Sequence, residues 1–182
     1  MAKTSLEMTP VLIETRPFHD SRGFFVESFN RRELEATLGH PVDFVQDNHS
    51  RSKRGVLRGL HYQLPPAAQG KLVGVIRGTI FDVAVDIRRQ SDTFGQWFGY
   101  EMTEDNFRQL WIPEGFAHGF LALTNIAEVQ YKATDYYTPE HERSIAWDDP
   151  EVGIEWPLDD IKPIVSTKDR TAPSLSEADV FD

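Results

Sequence analysis

The chain has no cysteine, which excludes disulfides, thiolate-bound zinc and a thiol nucleophile and fits a reducing compartment. No run approaches the roughly 18 apolar residues of a membrane-spanning helix, and Met1 to Glu7 lacks the apolar stretch of a signal peptide. A soluble, unprocessed, cytoplasmic protein is expected. Positive charge is scarce: 19 Lys and Arg stand against 29 Asp and Glu, for a net charge of -10. Such a surface repels phosphate backbones and anionic bilayers, so neither nucleic acid nor a membrane is an expected partner. Any anionic ligand has to be met by a local basic cluster. There is no G-x-G-x-x-G after a strand, no G-x-x-x-x-G-K-[ST] and no G-x-S-x-G, which removes support for a dinucleotide fold, a P-loop or a hydrolase nucleophile elbow.

What is present is a chain of 182 residues with near-average apolar and charged content, long enough for one domain at about 150 residues each. One domain over residues 1–182 is expected. Alternation with a period of two dominates from residue 10 to residue 147. In Thr79-Ile80-Phe81-Asp82-Val83-Ala84-Val85-Asp86-Ile87 the odd positions after Thr79 are apolar, the pattern of a half-buried strand. Similar runs near 11–13, 24–29, 42–47, 56–63, 71–77, 97–102, 108–112, 117–123 and 128–136 are separated by Gly, Pro, Asp and Asn, which predicts an all-β sandwich or barrel. One helix is predicted over 30–39, with Asn30 as N-cap, Glu33 returning a capping-box bond and Gly39 as the left-handed exit. The Pro-, Asp- and Ser-rich tail from Pro150 onward is expected to wrap the barrel irregularly.

Polar residues interrupt otherwise apolar strands: Arg58 and His61, Lys71, Gln46 and Asn48, and Tyr131. Each has an ordinary structural explanation taken singly, as a hydrogen-bonded core histidine, a rim cation or a core aromatic with its hydroxyl at the surface. Together they point to a polar pocket, because ionisable groups inside a barrel are costly unless a ligand site lies there. Arg58 and His61 are three apart and share a face only if Gly59 bulges the strand. Gly55-x5-His61 and Pro113-x-Gly115-x2-His118 resemble the two half-motifs of the cupin barrels, without the companion ligands of a cupin metal site. No metal is expected.

Longer strings carry a more specific resemblance. Asp20-Ser21-Arg22-Gly23-Phe24-Phe25, Phe44 to Ser50, Gly55 to Gln63, Gln69-Gly70-Lys71, Ile112 to Phe120 and Ser166-Thr167-Lys168-Asp169 are similar to the dTDP-4-dehydrorhamnose 3,5-epimerase family. The resemblance implies a cupin-type jelly roll that inverts carbons 3 and 5 of a dTDP-4-keto-6-deoxy sugar without cofactor. It implies His61 as general base, Asp169 as its orienting carboxylate, Tyr131 as general acid and Lys71 at the 4-keto oxygen. Arg22, Gln46, Asn48, Arg58, His118 and Lys168 would meet the nucleotide diphosphate, Glu27 and Glu142 would add polar contacts, and Tyr137 would stack on thymine. A homodimer that exchanges the segment carrying Arg22 and Glu27 is also implied. The roles are chemically coherent, since inversion beside a ketone needs a base, an oxyanion stabiliser and an acid on the opposite face. Three alternatives stay open: a mono-epimerase on a related dTDP-keto-sugar, a non-catalytic nucleotide-sugar-binding cupin, and a metal-dependent cupin enzyme.

Overall fold

The computed structural model describes residues 9–182, so the expectation for Met1 to Glu7 lies outside the described residues. Two sheets face each other. The first runs in the order β1 (Val11–Glu14), β9 (Arg108–Ile112), β6 (Lys71–Arg77), β11 (Ala127–Ala133) and β4 (Gln46–Ser52). The second runs β12 (Glu142–Ser144), β5 (Val56–Gln63), β10 (Phe116–Ala122), β7 (Thr79–Asp86) and β8 (Trp97–Thr103), with β13 (Ile164–Val165) parallel to β5. A separate hairpin, β2 (Phe18–Asp20) and β3 (Gly23–Phe25), stands off the sheets. Between the sheets lies an apolar core that includes Val73, Ile80, Ala84, Met102, Leu110, Phe116 and Val129. This is a two-sheet sandwich as the strand pattern predicts, in the jelly-roll form that the family resemblance implies.

The strand β7 corrects the simple reading of its alternation. Its even residues Ile80 and Ala84 belong to the core between the sheets, whereas Val83, Val85 and the following Ile87 pack on the outer face. There they meet Leu60, Ile145, Val152, Leu175 and Ala178, so the tail covers a second apolar layer and β7 is buried on both sides rather than half-buried. Because side chains alternate strictly, Asp82 is thereby turned into the barrel interior, where it is fully buried.

Helix α1 (Arg31–Leu38) forms where predicted, with Asn30 Oδ1 accepting from the amides of Arg32 and Glu33 and Gly39 in the left-handed conformation at φ 74°. In place of the expected return bond from Glu33, the Asn30 side-chain Nδ2 donates to Glu27 Oε1, and Glu35 accepts from the Val42 backbone amide. Leu34 anchors the helix on Leu72 and Trp111, on the outside of the first sheet. The predicted strand at 24–29 is shorter than expected, and the one at 42–47 is displaced along the chain to Gln46–Ser52. The first stops at Phe25, and after it Asn30 is committed to capping. The second begins only at Gln46, beyond Val45, whose amide bonds the carbonyl of Ala133.

The tail is more ordered than an irregular wrap. It contributes β13, a one-turn helix α2 (Thr167–Arg170) capped by the Ser166 hydroxyl, and a bridge between Arg88 and Phe181. Buried Asp149 accepts from the amides of Glu151 and Leu175, which pins the tail on the outer core. No helix among the described residues is long and apolar enough to cross a membrane.

Candidate active site

Gly59 does bulge β5. Its φ is +128°, and the pairing of β10 with β5 shifts register there, with His118 opposite His61 but Phe120 opposite Arg58. A β-carbon at Gly59 would lie 2.5 Å from the Gly119 Cα and 2.9 Å from the His118 carbonyl oxygen, so the two strands approach too closely for any side chain. The bulge brings Arg58 and His61 to the same pocket of about 210 Å³, which Lys71, His118 and Tyr131 also line.

His61 Nε2 lies 2.5 Å from Asp169 Oδ1. The imidazole is 32% exposed into the pocket, while Asp169 is 4% exposed behind it. Burial pushes the Asp169 carboxyl upward, but the hydrogen bond and charge of His61, the Ser166 hydroxyl and the Gly59 amide outweigh this and hold it below the ordinary carboxylate range. Asp169 reaches the ring because Ser166 caps α2 and parallel pairing of β13 docks the tail beside β5. A carboxylate held on one ring nitrogen fixes the tautomer and stabilises the imidazolium once a proton arrives.

Lys71, at the start of β6, is buried, with Nζ 3.3 Å from the His61 carbonyl oxygen. Burial lowers its ammonium to about 8, against the opposing charges of Asp82 and Glu142. Tyr131 sits between Asn48 and Val73 in register, and the Lys71 ammonium is 6.0 Å from its ring centroid. Burial and the Glu142 charge raise the phenol above its usual value, with Arg58 opposing, so it keeps its proton at neutral pH. Imidazole, ammonium and phenol therefore open on one pocket from three different strands.

Around the mouth, Glu142 accepts from the Tyr137 hydroxyl at 2.8 Å and pairs with Lys168 at 2.5 Å. Gln46 donates to Asn48 and accepts from the Tyr137 amide. Arg58 donates to the Ser52 hydroxyl and to the Arg51 carbonyl oxygen and is otherwise exposed. His118 is deeper than a rim contact: it is buried, its Nε2 2.7 Å from Asp82 Oδ1. Asp82 was missed in the sequence because the apolar odd positions of β7 assigned it to the solvent side.

Two expected site residues are not brought to this pocket within the chain. Arg22 is exposed at the hairpin tip, paired with Asp20, and Glu27 borders a cleft beside α1. Neither cleft shares a lining residue with the His61 pocket. The hairpin ends in sequence before the first long strand, and local pairing alone cannot carry its tip across the barrel. Among the described residues, no group of three or more His, Asp or Glu side chains could hold a metal ion; both pocket imidazoles spend Nε2 on a carboxylate.

A jelly roll with a carboxylate-backed imidazole and a protonated phenol on one pocket carries the acid and base groups that an isomerase of the epimerase kind uses. The family profile described as dTDP-4-dehydrorhamnose 3,5-epimerase matches residues 4–177. The chain is 59% identical over 171 residues to the dTDP-4-dehydrorhamnose 3,5-epimerase of Pseudomonas aeruginosa, covering 94% of this chain and 93% of that protein. Its fold is similar to the dTDP-6-deoxy-D-glucose-3,5-epimerase of Legionella pneumophila in complex with dTDP-4-keto-L-rhamnose (TM-score 0.90, 52% identity, 93% and 89% of the two chains). It is also similar to a 3'-monoepimerase of Streptomyces bikiniensis in complex with dTDP-quinovose (TM-score 0.87, 36% identity, 92% and 84% of the two chains). The chain belongs to the dTDP-4-dehydrorhamnose 3,5-epimerase family.

Proposed function

We propose that this epimerase inverts carbons 3 and 5 of dTDP-4-dehydro-6-deoxy-D-glucose to give dTDP-4-dehydro-L-rhamnose, as a cytoplasmic single-domain enzyme. The observation that carries the assignment is the convergence of the His61–Asp169 pair, Lys71 and Tyr131 on one pocket. A hydrogen beside a ketone is acidic because the anion delocalises onto oxygen, so no metal or redox cofactor is called for. His61 removes the proton, and Asp169 orients the ring and stabilises its charged form. The Lys71 ammonium stabilises the enolate oxygen. Tyr131 returns a proton to the opposite face, and the same set then serves the second carbon. Gln46, Asn48, Arg58, His118 and Lys168 hold the nucleotide diphosphate, Glu142 adds a polar contact, and Tyr137 stacks on the base.

Arg22 and Glu27 complete the site from a second copy of the chain, in a two-fold homodimer that exchanges the N-terminal segment. Support comes from the exposed faces of the hairpin, where Phe18 and Phe25 are each 70% exposed. A cleft of about 300 Å³ on the outer face of the first sheet, lined by Phe24, Ile76 and Gln130, continues that apolar surface. A second reading, inversion at carbon 3 alone, is favoured by the likeness to the 3'-monoepimerase, but at lower identity than to the 3,5-epimerases.

Incubation with dTDP-4-dehydro-6-deoxy-D-glucose in deuterated water tests both. Deuterium at carbons 3 and 5 of the inverted product supports the assignment. Label at one carbon only supports the mono-epimerase, and binding without label would leave a non-catalytic sugar-nucleotide binder.

A further inference from the structure

Asp82 takes no direct part in moving the proton. It is fully buried, its Oδ1 is taken by His118, and its Oδ2 has no hydrogen-bond partner among the described residues. A carboxylate withdrawn from water with one oxygen unpaired is retained only where another charge compensates it. The buried cation of that interior is Lys71, which comes from the opposite sheet and lines the same pocket as His118, the partner of Asp82. The other titratable groups facing that interior are His61 and Tyr62 from β5, His118 from β10, Tyr131 from β11, Tyr137 and, from β12, Glu142. Arg58 adds a positive charge at the mouth, and the two histidines are each tied to a carboxylate. Glu142 is itself shared with Lys168 and Tyr137, and Asp169 accepts from His61, which leaves Asp82 as the buried carboxylate with an oxygen that has no hydrogen-bond partner among the described residues.

We propose that Asp82 is a positioning residue for this reaction: its buried carboxylate is the counter-charge that keeps Lys71 an ammonium at the sugar's 4-keto oxygen, and it holds His118 against the pocket floor. The proposal rests on the reading of Lys71 as the group that stabilises the enolate. Burial alone drives a lysine toward its neutral form, and a neutral amine stabilises an enolate far less than an ammonium does. The fold thus buries a negative charge and a positive one in the same interior, from opposite sheets.

The test compares the pH dependence of kcat/KM for the parent enzyme, Asp82→Asn and Lys71→Met. In Asp82→Asn, which keeps shape and size, the fall in activity on the basic side should move to lower pH by about one unit, with the acidic side unmoved. A folded Asp82→Asn whose basic side stays in place overturns the proposal. Unchanged activity in Lys71→Met would instead remove Lys71 from the mechanism, a separate failure. A measurement independent of turnover is reductive methylation of Lys71, followed by peptide mass spectrometry from pH 6 to pH 10. In the parent the amine should become reactive near pH 8, and in Asp82→Asn at lower pH. Should Asp82→Asn fail to fold, the parent alone decides: a Lys71 already fully reactive at pH 6 means that no counter-charge sustains the ammonium, and the proposal fails.

Discussion

Replacement of Gly59 by alanine tests how the pocket is built. At φ +128° a side chain is strained whatever the space around it, at a cost of about 1–3 kcal/mol. Its β-carbon would also lie 2.5 Å from Gly119 Cα and 2.9 Å from the His118 carbonyl oxygen. Both neighbours are backbone, so relief requires β5 and β10 to separate, at roughly another 1–3 kcal/mol. The sum, roughly 4 kcal/mol, corresponds to a loss of about 8–16 °C in Tm for a chain of this size. The separation moves His61 relative to Asp169 and to His118 opposite it. A displacement on the order of 1 Å costs about 100-fold in turnover. Thermal unfolding and steady-state epimerisation are the assays, with Gly39→Ala as the control. Gly39 has φ +74° and open space around its would-be β-carbon, so the control should lose only about 1 kcal/mol and keep its activity. If Gly59→Ala melts and turns over like Gly39→Ala, the bulge is not what aligns the site.

Tyr131→Phe keeps the ring while removing the opposite-face donor, so it should still exchange substrate hydrogen with deuterated water at the first carbon attacked yet form little inverted product; normal inversion would dismiss Tyr131 as the acid. Mixing inactive Arg22→Ala and His61→Ala proteins under conditions of proven subunit exchange should restore part of the activity, because one site in a mixed dimer is intact; no recovery counts against segment exchange. Lys71 falls from 10.5 to about 8 on folding, so between these values the unfolded chain binds more protons and stability rises with pH. The stability of the parent relative to Lys71→Met, read by urea unfolding, should therefore grow by up to about 3 kcal/mol from pH 8 to pH 10.5, and a flat difference would show the ammonium to be unperturbed. Leu175 is 5% exposed in the outer core; Leu175→Ala should cost about 2–5 kcal/mol, whereas a loss under 1 kcal/mol would mean that the tail adds little.

The sequence by itself determined the strand class, the helix after Asn30 and the family, because these are carried by local periods, caps and contiguous strings such as Gly55 to Gln63. It also determined that Arg58 and His61 could share a face only through Gly59, a consequence of the two-residue repeat of a strand. The face on which a polar residue lands depends on what covers each side of the sheet, which is settled by long-range packing. Alternation in β7 was plain, but its apolar odd face is sealed by a tail whose own sequence shows little periodicity, and so Asp82 turned inward behind His118. The reach of Asp169 to His61, across 108 positions of sequence, likewise follows from docking β13 and α2 beside β5. Arg22 and Glu27 mark the other side of that limit. Their motif is legible in the sequence, yet the folded chain holds them away from His61, because the contacts that position a hairpin tip are made by whatever packs on it and not by the residues within it.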